Sequence, residues 1–398
     1  MAVGQRKDTD TKQARRVCFV LDENIYRLAG VQVYIIGLAE KLIADGHDVT
    51  ILHTQNRSVP VYKLNPKIRV LDIAHGFEIP LFTPNGGVSV LPGIVSRRKI
   101  RAILAEHAFD VYHFNYPFSP LLSGKIIKEA TRQEEQSKTK SKKFATFHVY
   151  AEESKFRILL NRALAYLVRK AVRQIDTFIN TGKPTEMYGH KYLRVDSIHI
   201  PIGVEDDTSY VPSNNKKTVD VLFFGRLEKR KGVQEFIEAL RLVMAAGLLK
   251  NVRITVAGNG PERNKAEQLA KKYGLDIRFL GTVAVEGKDD LFRQSDIVVF
   301  PTKYGEGFGI VLLEAMRHYA VAIGYANAGY QSTMKELAPK FLVKSGDVDQ
   351  LAALLGSLLK KNRQELVELQ ILQKKFCDEH YDAIKLYKKL IQLYFSAD

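Results

Sequence analysis

Asp296-Ile-Val-Val-Phe-Pro-Thr-Lys-Tyr-Gly-Glu-Gly-Phe-Gly-Ile-Val-Leu-Leu-Glu-Ala-Met-Arg317 is the stretch that decides the fold. Its apolar run, Ile297 to Phe300, is bounded by Pro301 and too short for a buried helix, so it reads as a strand inside a parallel sheet. Gly305, Gly307 and Gly309 then mark a tight turn, and Ile310 to Met316 are helix formers without a breaker. A strand, glycine loop and helix in that order place the loop at the carboxyl end of the strand, where open α/β sheets bind ligands. The free amides of the helix start, unobstructed at Gly307 and Gly309, make an anion site. Glu306 lies in the loop and Glu314 inside the helix. The loop lets Glu306 fold back so that both carboxylates face one ligand, and a phosphate joined to a sugar suits amides and acceptors together. The same residues also fit a plain glycine cap before an unrelated helix with one solvated Glu. Spacing alone does not separate the two.

Outward from this stretch, other strand ends carry chemistry. Asp220–Phe224 reads as a strand followed at once by Gly225-Arg-Leu-Glu-Lys-Arg-Lys-Gly232, which sets Arg226 and Lys231 at a strand end. A basic surface turn with Gly232 as a helix entry would also explain them, but their place directly after a strand disfavours it. Val17–Asp22 is a first strand, with Gly30 at the turn into a helix that runs to Gly46 and a second strand over Asp48–His53. Phe109–Phe114 and Phe144–Phe147 are strands, the latter ending at His148. Leu275–Leu280 is another, followed by Gly281-Thr282-Val283. Asp347-Val-Asp349 precedes a helix over Gln350–Leu359 and reads as its N-cap.

At 398 residues the chain is long enough for two cores. Two cysteines, Cys18 and Cys377, exclude a disulfide scaffold and suit a reducing cytosol. Nothing approaches a membrane span of about 20 apolar residues, which leaves a soluble or peripheral protein. Net charge is +16 and uneven, with 31 Lys/Arg against 19 Asp/Glu over residues 1–200. That basic half points to an anionic partner. Nucleic acid is excluded as that partner by the lack of a zinc pattern, basic zipper or RNP-like aromatic stretch.

Residues 1–16 read as a disordered tail, 17–205 as a first Rossmann-like domain, 206–218 as a linker, 219–376 as a second such domain and 377–398 as a terminal helix. Within the first domain, Ile79–Gly93 is a structured loop with a turn at Asn85-Gly86. Ser96–Phe109 is a helix whose start gathers Arg97, Arg98, Lys99 and Arg101. Cations at a helix amino end oppose its dipole, so the placement fits phospholipid headgroups as well as a solvated face. Thr131–Lys143 reads as a mobile surface insertion. Ser154–Ile175 is a helix whose leucines and valines read as core packing.

Glu306-Gly-Phe-Gly-Ile-Val-Leu-Leu-Glu-Ala-Met316, with Pro301 and Thr302 before it, resembles the E-x7-E motif of the family-4 retaining glycosyltransferases. That likeness implies the GT-B fold, two Rossmann-like domains facing across a cleft, with acceptor bound by the first and nucleotide sugar by the second. Gly46-His-Asp-Val49, Asp110-Val-Tyr-His113, Pro201-Ile-Gly-Val204 and Gly225-Arg-Leu…Lys231-Gly232 resemble further stretches of the family. The resemblance implies that Glu306 contacts sugar hydroxyls and Glu314 the ribose, that Arg226 and Lys231 hold the diphosphate, and that His148 faces the donor sugar. By the same resemblance Gly30, Gly307, Phe308, Gly309 and Ile310 surround the donor, Val283 lies against the base, and the terminal helix returns to the first domain. Asn85, Gly86, Arg97, Arg98, Lys99 and Arg101 fall where phosphatidylinositol mannosyltransferases and related glycolipid synthases meet a lipid acceptor and an anionic membrane. No metal and no cofactor are expected beyond a UDP- or GDP-sugar donor. Four departures stand out. Ala29 replaces the first Gly of a pair, and Asn115 stands where a second His is usual. Tyr319 and Val321 stand where Gly and Pro are usual. Ala29, Tyr319 and Val321 keep a non-catalytic relative open as an alternative, and a transferase acting on a soluble sugar phosphate is another.

Overall fold

The computed structural model describes residues 14–26, 30–55, 63–75, 77–79, 89–91, 95–115, 119–148, 155–205 and 211–396. Most of the expected tail, Ala29, Asn85, Gly86 and residues 206–210 of the expected linker lie outside the described residues.

The amino-terminal half contains β1 (Arg16–Leu21), β2 (Asp48–Gln55), β3 (Arg69–His75), β4 (Phe77–Ile79), β5 (Ser89–Leu91), β6 (Val111–Phe114), β7 (Lys142–Phe147), β8 (Thr177–Asn180) and β9 (Ile198–His199). Seven of these form one parallel sheet in the order β3-β2-β1-β6-β7-β8-β9. β4 and β5 pair antiparallel beside it, so part of the stretch read as a loop is a small ribbon. The carboxy-terminal half contains β10 (Val219–Phe224), β11 (Val252–Ala257), β12 (Ile277–Gly281), β13 (Ile297–Phe300), β14 (Val321–Tyr325) and β15 (Leu342–Val343). They form a second parallel sheet in the order β12-β11-β10-β13-β14-β15. Strands apolar on both faces require helices on both faces. Accordingly the first sheet has a core on each side, and a further core surrounds the second.

Four local readings need correction. Residues 131–137 end the helix Ser123–Ser137, and 142–143 open β7. The charges there have partners: Lys143 donates to both oxygens of Glu134 at 2.6 Å, and Ser141 N–H donates to the same carboxylate at 3.0 Å. The basic helix is shorter than expected, Arg97–Glu106, and Ser96 caps it by accepting from Lys99 N–H at 3.2 Å. The helix Lys155–Val172 buries Ala165, Val168, Ala171 and Val172 but leaves Leu159, Leu160 and Leu167 outside, so its apolar residues are not all core. The last helix starts at Ala383, because Asp382 ends the preceding helix Arg363–Tyr381 and caps the next one through Ile384 N–H and Lys385 N–H.

That last helix crosses back to the first sheet. Leu390 and Tyr394 are buried in the core against Ile35, Leu38 and Leu42, and Ile384 is exposed. Burying a leucine fully is worth about 1.5–3 kcal/mol. Tyr394 hydroxyl also bonds His113 Nδ1, and His113 Nε2 meets Thr146 Oγ1 at 2.6 Å. His113 is thus a core residue that fastens the terminal helix, and burial, aided by His148, pushes its pKa down to about 3.

Candidate active site

The second sheet reverses its strand order at β10, which has β11 on one side and β13 on the other. The loops leaving β10 and β13 therefore emerge side by side, the crevice where doubly wound sheets take ligands. Lys303 N–H donates to Arg230 carbonyl at 2.8 Å and ties the two loops together. Gly232, at φ 77°, lets the first loop pass under Pro301, whose carbonyl a Cβ would strike.

This register builds a chain of alternating charge. Arg226 Nη1 meets Glu228 Oε1 at 2.8 Å, and Arg230 Nε meets Glu228 Oε2 at 3.1 Å. Arg230 Nη1 donates to Glu306 Oε1 at 2.8 Å, and Lys231 Nζ donates to the same oxygen at 2.5 Å. Burial alone would raise the Glu306 pKa, but Lys231 and Arg230 outweigh it and hold the carboxyl below its ordinary value. Burial lowers the Lys231 pKa, with Glu306 opposing it. Arg230 and Glu228 were not singled out from sequence. Their signal was there, in a run of alternating charge directly after a strand.

The glycine turn sits where the spacing put it. Gly305 and Gly309 have φ of 78° and 93°, and a Cβ on Gly309 would strike the Tyr330 ring. Gly309 precedes the helix Ile310–Arg317. Phe308 is buried, with its ring edge-on to Tyr381. Gly329 gives room to the Glu306 carbonyl. Asn327 caps the helix Ala328–Met334 and donates to Thr302 carbonyl at 2.8 Å. Glu314 is buried and accepts from Lys288 Nζ at 2.7 Å, a second partner missed from sequence. The two carboxylates are therefore held by different cations. Glu314 and Ile310 line a cavity of about 450 Å³ between the sheets with Tyr34, Lys288 and Arg317, whereas Glu306 turns to Arg230 and Lys231. Val283 is half-buried beside Gly287.

Residues of the first sheet face this turn. A Cβ on Gly30 would lie 3.6 Å from Ile310 Cγ2, so the two helix starts meet. Lys183 N–H donates to Ser332 Oγ at 3.0 Å, next to the approach of Gly182 to Gly307 and Phe308. His148, just past β7, bonds Asn115 Oδ1 through Nε2 at 3.0 Å and lies 4.9 Å from the Tyr34 ring centroid. Asn115, the residue replacing a usual His, thus orients His148 directly. Burial keeps the His148 imidazole neutral, and its Nδ1 has no hydrogen-bond partner among the described residues. Arg97, Arg98, Lys99 and Arg101 stand apart from all of these, on the outer helix Arg97–Glu106. Arg97 and Arg101 approach Glu129 at 3.8 and 3.5 Å, and Lys99 donates to Asp72 carbonyl. Among the described residues no His, Cys, Asp and Glu cluster fits a metal ion, and no helix is long and apolar enough to cross a membrane.

Comparison with known proteins matches this arrangement to a family. Residues 28–208 fit the model of Glycosyltransferase Family 4, and residues 205–371 that of Glycosyl transferases group 1. A phosphatidyl-myo-inositol mannosyltransferase of Mycobacterium leprae is 30% identical, covering 84% of each chain. The chain belongs to the family-4 glycosyltransferases. Its counterpart of the same name in Mycolicibacterium smegmatis is 28% identical over 84% of this chain and 82% of that one. Among solved structures, a glycosyltransferase from Rickettsia africae superposes with a TM-score of 0.71 at 16% identity, covering 96% and 98% of the two chains. Anabaena HepE in complex with UDP-glucose gives 0.68 at 16% identity, covering 96% and 100%. The two facing parallel sheets are the GT-B fold, and the protein is a glycosyltransferase.

Proposed function

We propose that this glycosyltransferase moves a hexosyl group from a UDP- or GDP-sugar to an acceptor hydroxyl with retention of configuration, and that the acceptor is lipid-linked. The observation that carries the donor half is the cluster of Arg226, Arg230 and Lys231, linked through Glu228 and Glu306 to the glycine turn before the helix Ile310–Arg317. Cations and helix amides together suit a diphosphate, and stabilise its growing charge as it leaves. The Glu306 carboxylate occupies the place of an anion between Arg230 and Lys231. An incoming diphosphate takes over those cations and frees Glu306 for sugar hydroxyls. Gly30, Gly307, Phe308 and Ile310 border the diphosphate, Glu314 takes the ribose, Val283 the base, and His148 presents its open Nδ1 to the donor sugar. No carboxylate nucleophile is assigned; the leaving phosphate deprotonates the acceptor on the same face.

The lipid half rests on the mannosyltransferase relatives and on the basic helix at Arg97, Arg98, Lys99 and Arg101, with Asn85 and Gly86 assigned to the same acceptor region. On this reading the enzyme is cytoplasmic and docks peripherally on a membrane. Activity is metal-independent on this reading, since protein cations cover the diphosphate. The test is transfer from labelled UDP- and GDP-sugars to phospholipid and to soluble sugar-phosphate acceptors, with and without EDTA. Transfer that EDTA abolishes and magnesium or manganese restores overturns the phosphate site. Failure of purified protein to hydrolyse or transfer any donor favours a non-catalytic subunit.

A further inference from the structure

The helix Lys155–Val172 has two apolar faces, and only one of them is used. Ala165, Val168, Ala171 and Val172 pack inward onto the first sheet. On the opposite side Leu159 is 69% exposed, Leu160 45%, Tyr166 62% and Leu167 57%, with Ala163 also exposed. These positions follow i, i+1, i+4, i+7 and i+8 spacing, one continuous stripe on a helix surface. Solvated helices do not keep such a stripe without a partner.

Charge identifies that partner. The helix contains no Asp or Glu, and Arg162, Arg169, Lys170 and Arg173 are exposed along the stripe. Arg169 lies 4.1 Å over the Tyr166 ring. A helix with leucines and tyrosine on its outer face and cations beside them is the pattern that lies in the headgroup layer of an anionic bilayer. A two-fold contact with a second copy would set these cations against their own images, which repel. The helix Ser123–Ser137 packs between this helix and Arg97–Glu106, so the stripe and the cluster at Arg97 share one side of the first sheet. The helix also begins a few residues after His148, at the cleft end of β7.

We infer that the outer face of the helix Lys155–Val172 is a bilayer-docking surface that seats its leucines among anionic lipid headgroups and brings the cleft mouth to the membrane. The inference deepens, and for its biological purpose rests on, the lipid-linked acceptor proposed above. Its readout is independent of that acceptor.

The experiment is co-sedimentation of the full chain with vesicles of phosphatidylglycerol and phosphatidylcholine, and with phosphatidylcholine alone. A Leu159→Ser/Leu160→Ser/Leu167→Ser variant is expected to bind the anionic vesicles at least tenfold more weakly than wild type. Its melting temperature and donor hydrolysis should be unchanged, because the three side chains are exposed. An Arg162→Gln/Arg169→Gln/Arg173→Gln variant is expected to lose the preference for anionic over neutral vesicles. Equal binding by wild type and the leucine variant overturns the docking face. So does light scattering that finds a wild-type dimer which the leucine substitutions make monomeric. Vesicle binding combined with transfer only to soluble acceptors supports the docking face and refutes the lipid acceptor. Transfer to detergent-dispersed lipid without vesicle binding does the reverse.

Discussion

Two groups of cations, similar in composition, have opposite surroundings. Arg230 and Lys231 have side chains 15% exposed and share Glu306, with Glu228 bridging Arg230 to Arg226. Arg97 and Arg101 are 60% and 53% exposed and share Glu129 at longer range. In the first group, low surrounding dielectric makes position decisive, since the same charges interact several times more strongly than in water. In the second, water and salt screen each charge, so the group acts by number rather than by geometry. The contrast teaches that the inner group suits a reaction and the outer group suits attraction.

The largest expected effect sharpens the inner half of that contrast. Lys231→Ala and Glu306→Gln should each lower transfer about 10²–10³-fold, the scale of losing one preorganised contact to developing charge, with the fold retained by circular dichroism. Near-wild-type rates from both would break the contrast outright. Next, Glu228→Gln removes the carboxylate that orients Arg226 and Arg230 without touching donor in the proposed site. It should cost roughly tenfold in kcat/KM, as expected when about 1–1.5 kcal/mol of orientation is lost, and Glu228→Asp should recover part of it. A structural role alone would show as a melting-temperature shift that tracks the activity loss.

The outer group is expected to respond to salt. Changing Arg97, Arg98, Lys99 and Arg101 together to Gln should weaken binding to anionic vesicles by about tenfold or more, each cation near such a surface being worth about 1 kcal/mol before screening. Raising salt should erase the difference, and transfer to a soluble acceptor should not change. A salt-independent loss would mean the two groups are not different in kind.

The last effect concerns a buried carboxyl rather than a cation. Asp22 is buried, and burial raises its pKa from 3.8 to about 7, opposed by hydrogen bonds from Ser119 and Ser123 and aided by Glu23. Its folded pKa lies above the unfolded one, so the folded state holds the extra proton between those values. This group's contribution to stability therefore falls as pH rises from about 4 to about 7, by at most roughly 1.4 kcal/mol per unit. Asp22→Asn has no such slope. Its stability relative to wild type should grow across that window and level off above it, as read from denaturation midpoints. A constant difference would show that Asp22 does not titrate in the folded protein.

The strand–turn–helix at Ile297–Arg317 was legible because each part has a local cause: a short apolar run, glycines at positive φ, and a run without breakers. The cation loop after β10 was legible for the same reason. The meeting of Arg230 with Glu306 was not, because it depends on β10 lying beside β13, a pairing no local pattern encodes. The helix Lys155–Val172 misled because apolar residues on both sides look like core when only their number is read. The charged run at 131–143 misled in the opposite direction, since Glu134 and Lys143 neutralise each other. Tyr319, at φ 59° where the family usually has Gly, takes the left-handed backbone that glycine would have supplied. The departure changes the residue and keeps the turn.

The chain passes between the two sheets twice, and the two passages are bonded to each other. Val204 bridges to Asp382, Val204 N–H donates to Tyr381 carbonyl at 2.9 Å, and Ala383 N–H donates to Val204 carbonyl at 3.2 Å. Gly203 lies so close to Ala383 that a Cβ would collide with it. A single tether would let the halves swivel freely. Two tethers joined as a ladder resist twisting and leave bending across the ladder as the easy motion. A bend about that line would change the separation of Gly30 and Ile310, where the helix starts of the two halves meet.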